Sequence, residues 1–396
     1  MKKLKKDITF IYMDSSEKAA YEPIADEARK RGYIIHWTDN KFEKCEIGFY
    51  CQHINFPQYS KFSLIMLHDI IQQYSNWPDL WYTEPWNKYD IGILPSDQWV
   101  NNWNQCSQWL YSRPKYGMFK IGWSKADAVA TLKAEMSRED YYIKYHLDIN
   151  KKTVLYAPAW ENDGKQNDFV KAMQKLDINI LIKQGPWFSK KWQETRPDIG
   201  KNILEMKRLH QALPNVTILD PSLNIFEAIV VSDILVSEES STMCEAAMMS
   251  IPAISVSDWL IPDTVPSRYP KCDYDFAITT TKKQLTECVD EILKNYDFYH
   301  EKAVAFADAT FSNIGKTSTM IMDIIDDCVA DRPIRYQALQ ARKAELVPLK
   351  KNCFRIAEQL HRTMYANWKV RFPLFRMIWG IGKKIKDSIK KSVNYF

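Results

Sequence analysis

The sequence predicts an α/β protein of two Rossmann-like domains facing a cleft, followed by a basic helical C-terminal tail. Short apolar runs alternate with helical stretches through the first 330 residues, the pattern of parallel sheets covered on both faces. The alternation restarts with a strong apolar strand just after residue 150, and positive charge collects at the C-terminus. With 396 residues, 46% hydrophobic and 26% charged, the chain can bury a full core and suits two domains of ordinary size.

The opening Met1-Lys2-Lys3-Leu4-Lys5-Lys6 has the charge of a signal-peptide start, but Asp7 follows and residues 8–13 are too short for its apolar core. The expectation is a cytoplasmic start leading directly into a strand over 8–13. Asp14, Ser15 and Ser16 then cap a helix that runs to Arg31 and stops at Gly32. Further strands are expected at 33–37, 46–51 and 62–67. From Trp77 to Trp123 the periodicity weakens and Trp77, Trp81, Trp86, Trp99, Trp103 and Trp109 crowd together. A layer covering a cleft needs such side chains, and so does an ordinary core, which is the reading favoured here. Residues 90–95 and 119–123 close the first sheet.

A charged helical stretch over 125–146 leads to Lys151-Lys152 and the strand 153–157, which places a domain boundary near 150. The expected division is 1–150, 151–330 and a basic tail from 331. The second half repeats the logic, with strands at 178–182, 215–219, 234–237 and 253–256 and helices at 225–231 and 241–249. Such halves bind ligands at the carboxyl ends of their strands, in the cleft between them.

The eight cysteines and seven histidines are scattered, with no CxxC pair and no repeated Cys/His spacing. The expectation is reduced thiols, no metal site and no cofactor, although an ion held by substrate phosphates stays open. The net charge of +5 hides an asymmetry: from Asp331 onward 16 Lys+Arg stand against 4 Asp+Glu, whereas the preceding residues carry 38 against 45.

The most informative stretch is 232–247, SDILVSEESSTMCEAA, a strand ending in a polar turn with Ser240, Ser241 and Thr242 at a helix entry. Helix N-termini present unpaired N–H groups and partial positive charge, so the turn suits a diphosphate, and Glu245 one turn in suits ribose hydroxyls. An ordinary N-capped helix carries the same residue types.

Val154-Leu155-Tyr156-Ala157-Pro158-Ala159-Trp160 opens the second half, and Ile251-Pro252-Ala253-Ile254 follows the serine turn at a helix-sized distance. Here the chain resembles the CDP-glycerol glycerophosphotransferase family, the polymerases and primases of wall teichoic acid and related capsules, which has the two-domain architecture called GT-B. Gly122-Trp123-Ser124-Lys125-Ala126-Asp127 sits where that family has a Gly-x-Pro-Arg-x-Asp turn, and Leu67-His68-Asp69 where it has Trp-His-Gly. Residues 311–318, FSNIGKTS, resemble its Asp-Gly-Lys-Ala-Ser pattern, so the likeness spans about 65–326.

The resemblance implies His68 as the base that deprotonates an acceptor hydroxyl, a role suited to a group titrating near neutrality, with Asp69 beside it. It implies donor binding by Pro158, Lys183, Ser240, Ser241, Thr242 and Glu245. A strand-end histidine bonded to backbone and a solvated lysine are the plainer readings of His68 and Lys183. Lys183-Gln184-Gly185-Pro186 lacks the second histidine of the family's Lys-x-His-Pro stretch, Glu238 replaces an aspartate, and the Pro-Arg after Gly122 is missing. These departures put the donor's identity in question.

From Trp368 the tail interleaves aromatic and apolar residues with Lys and Arg, and no run approaches the roughly 20 apolar residues of a spanning helix. The expectation is a peripheral protein on the cytoplasmic face of the cell membrane, touching an anionic surface through Trp368, Arg371, Phe375, Trp379, Lys383 and Lys384. A helix packed back on the domains is the alternative. No nucleic-acid motif accompanies the charge, so nucleic acid is not an expected partner.

The function these readings favour is transfer of a phosphopolyol from a CDP-linked polyol to a hydroxyl of a lipid-linked or polymeric acceptor. A glycosyltransferase of the same architecture using a nucleotide sugar is the second reading, and a non-catalytic scaffold at the membrane surface the third. A sugar-nucleotide epimerase shares the fold but has no need of a basic aromatic tail.

Overall fold

The computed structural model describes residues 4–343 apart from 14, 52–54, 71–83, 85, 130–131, 133–135, 264 and 272–275, together with Ile356, Gln359 and Ile381. Two six-stranded parallel sheets organise the chain. The first holds β1 (Asp7–Ile11), β2 (Ile34–Thr38), β3 (Cys45–Cys51), β4 (Ser60–Met66), β5 (Ile91–Leu94) and β6 (Met118–Lys120), in the order β2-β1-β3-β4-β5-β6. The second holds β7 (Thr153–Tyr156), β8 (Asn179–Ile182), β9 (Val216–Ile218), β10 (Ile234–Ser237), β11 (Ala253–Val256) and β12 (Ile278–Thr280), in the order β12-β11-β10-β7-β8-β9. This is the two-domain GT-B arrangement that the strand pattern anticipated. The central strands read as unbroken apolar runs because parallel strands are buried on both faces; all four residues of β8, β10 and β11 are buried.

The helices flank these sheets. In chain order they are α1 (Ser15–Lys30), α2 (Asp97–Cys106), α3 (Arg138–Lys144), α4 (Lys165–Met173), α5 (Lys190–Thr195), α6 (Pro197–His210), α7 (Ile225–Val230), α8 (Thr242–Met248), α9 (Leu285–Lys294), α10 (Tyr296–Thr310) and α11 (Thr317–Val329). Gly32 follows α1 at φ +78°, the left-handed geometry that ends a helix most easily at glycine. Asp14, the first residue of the expected cap, lies outside the described residues.

Two expectations differ from what is observed, and one strand was not expected. β12 carries no expectation at all, because Ile278-Thr279-Thr280 is short and only partly buried. The helical stretch over 125–146 is interrupted: Ser137 starts α3 afresh with a capping box, accepting from Asp140 N while Asp140 receives the Ser137 N–H. Residues 331–343, the start of the expected tail, have no regular secondary structure. Pro333 bars a continuing helix, Arg332 and Arg335 fold back onto Asp327, and Leu339 N donates to Met118 O on edge strand β6 at 2.7 Å.

Of the crowded tryptophans that are described, Trp86, Trp99 and Trp103 are buried in one apolar cluster, with Trp109 packed against it. They are core. Trp77 and Trp81 lie outside the described residues.

The helices do not follow the sequence order of the sheets. Helix α3 packs on the second sheet, where Arg138 pairs with Asp233 at 3.1 Å and Tyr142 OH meets Thr153 Oγ1 at 3.0 Å. Helix α11 returns to the first sheet, where Ile321, Met322, Ile324 and Ile325 join the core of β1, β3 and α1. Arg31 at the end of α1 donates to Asp323 and Asp326, both at 2.8 Å, and Tyr33 OH reaches Asp326 at 2.6 Å.

The crossing point is a tight packing of two loops. Gly122, after β6, has φ +127°, and a Cβ there would lie 2.6 Å from Ser312 O and 2.7 Å from Thr317 Oγ1. Asn313 Nδ2 donates to Ile121 O at 2.6 Å, and Asp127 accepts the first backbone N–H groups of α11 from Thr317 at 3.2 Å and Ser318 at 2.6 Å. The two sequence patterns at 122–127 and 311–318 are therefore halves of one joint. Gly122→Ala forces both a disfavoured φ and a backbone clash, with an expected loss of at least ~2 kcal/mol, read as a lowered urea midpoint and melting temperature. An unchanged midpoint would show that the joint does not bear on stability.

Candidate functional site

The carboxyl ends of both sets of strands carry the polar residues that a cleft site needs. In the first half, β4 ends and the chain turns through Leu67-His68-Asp69. Two indoles hold this turn by its backbone: Trp123 Nε1 donates to His68 O and Trp99 Nε1 to Asp69 O, each at 2.9 Å. His68 Nε2 stands 3.2 Å from Asp69 Oδ1, and both side chains are 13% exposed. The backbone carbonyl rather than the ring of His68 takes the indole bond. An imidazolium formed there would have a carboxylate at its Nε2.

In the second half, Lys183 directly follows β8. This lysine is buried, not solvated: its Nζ donates to Gln184 O and Pro221 O, both at 2.9 Å. Burial first, and then the neighbouring Lys125 ammonium, hold its pKa down to about 8. An ammonium has three donors, and two are taken by carbonyls. Gln184 turns inward to a buried polar network, donating to Glu161 Oε2 at 2.6 Å and Gln166 Oε1 at 2.7 Å. Burial pushes the Glu161 carboxyl up to about 7.

The turn after β10 is built around three buried glutamates, each given its own cation. Glu238 pairs with Lys165 at 2.9 Å, both fully buried, and also accepts Trp160 N at 3.0 Å. Glu239 pairs with Arg268 at 2.5 Å and accepts Lys271 N at 3.0 Å. Glu245, one turn into α8, pairs with Lys125, which comes from the first half of the chain. Unpaired, these carboxylates would repel a phosphate; paired, they leave the turn close to neutral.

Within that turn the hydroxyls have different duties. Thr242 Oγ1 lies 3.1 Å from Ala157 O and 3.0 Å from Ser240 Oγ, fastening the turn to the end of β7 beside the buried Pro158. Ser240 Oγ accepts Thr242 N at 3.3 Å. Ser241 precedes α8 without a side-chain capping bond and is half-buried. The Glu245 carboxylate expected to meet ribose is buried beneath Lys125; its Oε2 has no hydrogen-bond partner among the described residues.

Lys125 is the residue that motif reading undervalued. It occupies the turn where the resembling family has arginine, bridges to Glu245 of the other half, and lies over the Trp123 and Phe226 rings at 5.2 and 5.5 Å. With Lys183 it puts two ammonium groups near Glu245, one turn into α8. Glu17 was also missed, because it lies 51 residues before His68 yet shares its neighbourhood with Cys51. A separate cavity of about 260 Å³, lined by Arg138, Tyr142, Lys151, Lys152 and Asp233, opens at the amino ends of β7 and β10, away from the cleft chemistry. Trp368, Arg371, Phe375, Trp379, Lys383 and Lys384 lie outside the described residues, and among those described no helix is long and apolar enough to cross a membrane.

No protein-family model matches the chain, and no curated protein matches it. Solved structures do. The wall teichoic acid polymerase TagF, as a histidine variant soaked with CDPG, aligns over 83% of this chain and 90% of its own at 17% identity, with a TM-score of 0.55. UDP-GlcNAc 2-epimerase from Neisseria meningitidis, bound to UDP-GlcNAc, aligns over 81% of this chain and all of its own at 14% identity and TM-score 0.54. MnaA of S. aureus with UDP gives 14% identity, 85% and 100% coverage, and TM-score 0.55. At such identities these likenesses establish the fold.

The depressed Lys183 pKa has a consequence for anion binding. Its ammonium is charged below pH ~8 and neutral above, while a diphosphate diester keeps its charge across that range. Affinity for a nucleotide-linked diphosphate diester, measured calorimetrically, is expected to fall roughly 10- to 100-fold as pH rises through that value. In Lys183→Met the binding should be weaker and flat with pH; an unchanged slope would remove Lys183 from the site.

Proposed function

We propose that this protein transfers a phosphopolyol from a CDP-linked donor to a hydroxyl of a lipid-linked or polymeric acceptor in cell-surface polymer synthesis. The observation that carries the reading is that Lys125 and Lys183 meet near Glu245, in the helix that the Ser241 turn opens after β10, with His68 following β4 in the first sheet. The fold shared with a teichoic acid polymerase and with nucleotide-sugar enzymes supports a nucleotide-linked donor in that cleft.

The chemistry asks little beyond positioning and charge. The acceptor oxygen gives its proton to His68 and attacks the phosphorus bearing the polyol, the bond to the bridging oxygen breaks, and CMP leaves. Asp69 stabilises the imidazolium. Lys125 and Lys183 offset charge on the phosphoryl oxygens, with the Ser241 hydroxyl and the helix entry adding donors. Glu245 reaches ribose once donor phosphate draws Lys125 away. The basic tail, through Trp368, Arg371, Phe375, Trp379, Lys383 and Lys384, holds the protein on an anionic membrane where a lipid-linked acceptor is presented.

A nucleotide-sugar glycosyltransferase is the second reading, favoured by Gly185 at the place of the family's second histidine; attack would then fall on the anomeric carbon. Melting temperatures with CDP-glycerol, CDP-ribitol, CDP, UDP and UDP-sugars separate the two, since a ligand at 100 times its Kd adds about 2.7 kcal/mol. Cytidine-selective stabilisation, reduced in Ser241→Ala, is the expected result, and selectivity for uridine sugars would replace this reading with the second. His68→Gln should keep that stabilisation and lose transfer by ~10²–10⁴-fold, whereas unchanged turnover would remove His68 as base.

Membrane attachment is tested by sedimentation with vesicles. Binding to anionic but not zwitterionic vesicles, weakened in Lys383→Glu/Lys384→Glu, is expected. Equal binding to both vesicle types would rule out the electrostatic anchor.

A further inference from the structure

Glu17, Cys51 and His68 bring a carboxylate oxygen, a thiol sulfur and an imidazole nitrogen within 4.8 Å of one another. We infer that these three residues form a binding site for a thiophilic divalent metal ion of the zinc type. The fold dictates the convergence. Cys51 ends β3 and pairs in register with Met66 of β4. His68 lies in the turn that leaves β4 two residues after Met66, at the same carboxyl edge of the sheet. Helix α1 follows β1, the other neighbour of β3, and presents Glu17 from its first turn.

The donor chemistry suits zinc, which takes sulfur, nitrogen and oxygen together; softer and harder ions each prefer only part of that set. Zinc bonds of roughly 2.0–2.3 Å put ligands about 3.3–3.8 Å apart, so side-chain rotations of about 1 Å close the present triangle. The ligands are held from behind. Glu17 Oε2 accepts Met13 N at 2.5 Å, Asn55 Nδ2 holds Cys51 O at 2.6 Å, and Trp123 holds His68 O at 2.9 Å. His68 Nδ1 is buried, and Nε2 lies beside Asp69, the outer carboxylate that commonly orients a metal-bound histidine.

Three protein ligands leave a fourth position for water or a hydroxyl. A metal there takes His68 out of service as a base, so occupancy inhibits transfer. That consequence rests on the proposed function; the binding does not.

The test uses the full chain, stripped with a chelator and titrated with Co²⁺ and then Zn²⁺. One ion per chain is expected, with a thiolate-to-cobalt charge-transfer band that zinc abolishes. Cys51→Ser should lose the band, Glu17→Gln should weaken affinity by at least ~10-fold, and the control Cys288→Ser should keep both. A band that survives in Cys51→Ser, or the absence of any stoichiometric binding, overturns the inference. If Cys51→Ser does not fold, Glu17→Gln decides: unchanged cobalt affinity there is equally fatal. Metal binding without any transfer activity would count only against the function, and transfer that zinc leaves unaffected in a metal-binding protein only against the inhibition.

Discussion

The structure turns on the joint at Gly122. Only a residue without a side chain lets the exit from β6 pass against Ser312 and Thr317, and that close passage lets Asp127 cap α11. From there α11 lies on α1 and the first sheet, with Arg31 bonded to Asp323 and Asp326. The chain thus leaves the first half near residue 123 and re-enters it at 317. Both passages meet at one joint.

Charge in the cleft is arranged by local neutralisation. Three glutamates around the serine turn would make a poor phosphate site by themselves. Lys165, Arg268 and Lys125 answer them one by one, and the innermost pair, Lys165 with Glu238, is withdrawn from solvent altogether. Removing one member of such a buried pair typically costs ~3–5 kcal/mol, which makes Lys165 and Glu238 structural partners first. Lys183 is the exception. Its contacts are carbonyls, and its charge is opposed by burial and by Lys125, so an incoming anion relieves a cost the folded protein already carries.

The first half solves a different problem, holding the turn after β4 in place. Trp99 and Trp123 do this through indole N–H groups bonded to backbone carbonyls, while their rings pack in apolar surroundings. Trp99, which reads in sequence as core, is core, and through one polar atom each Trp99 and Trp123 also hold the turn. The same placement puts His68 among Glu17, Cys51 and Asp69, so the proton transfer and the metal binding proposed for its imidazole exclude one another.

Much of this was legible in the sequence, for a physical reason. Buried parallel strands must be continuous apolar runs, so 234–237 and 253–256 were read to the residue, and the helix entry at 241 followed from its hydroxyls. Short, half-exposed strands such as β12 carry no such mark. Pairings between distant residues are silent as well, because sequence period reports only which face a side chain lies on. That Lys183 is buried, that Lys125 answers Glu245 across the two halves, and that Asp127 caps a helix 190 residues away were decided by tertiary packing. So was the meeting of Glu17, Cys51 and His68, which the order of the strands creates and no spacing along the chain announces.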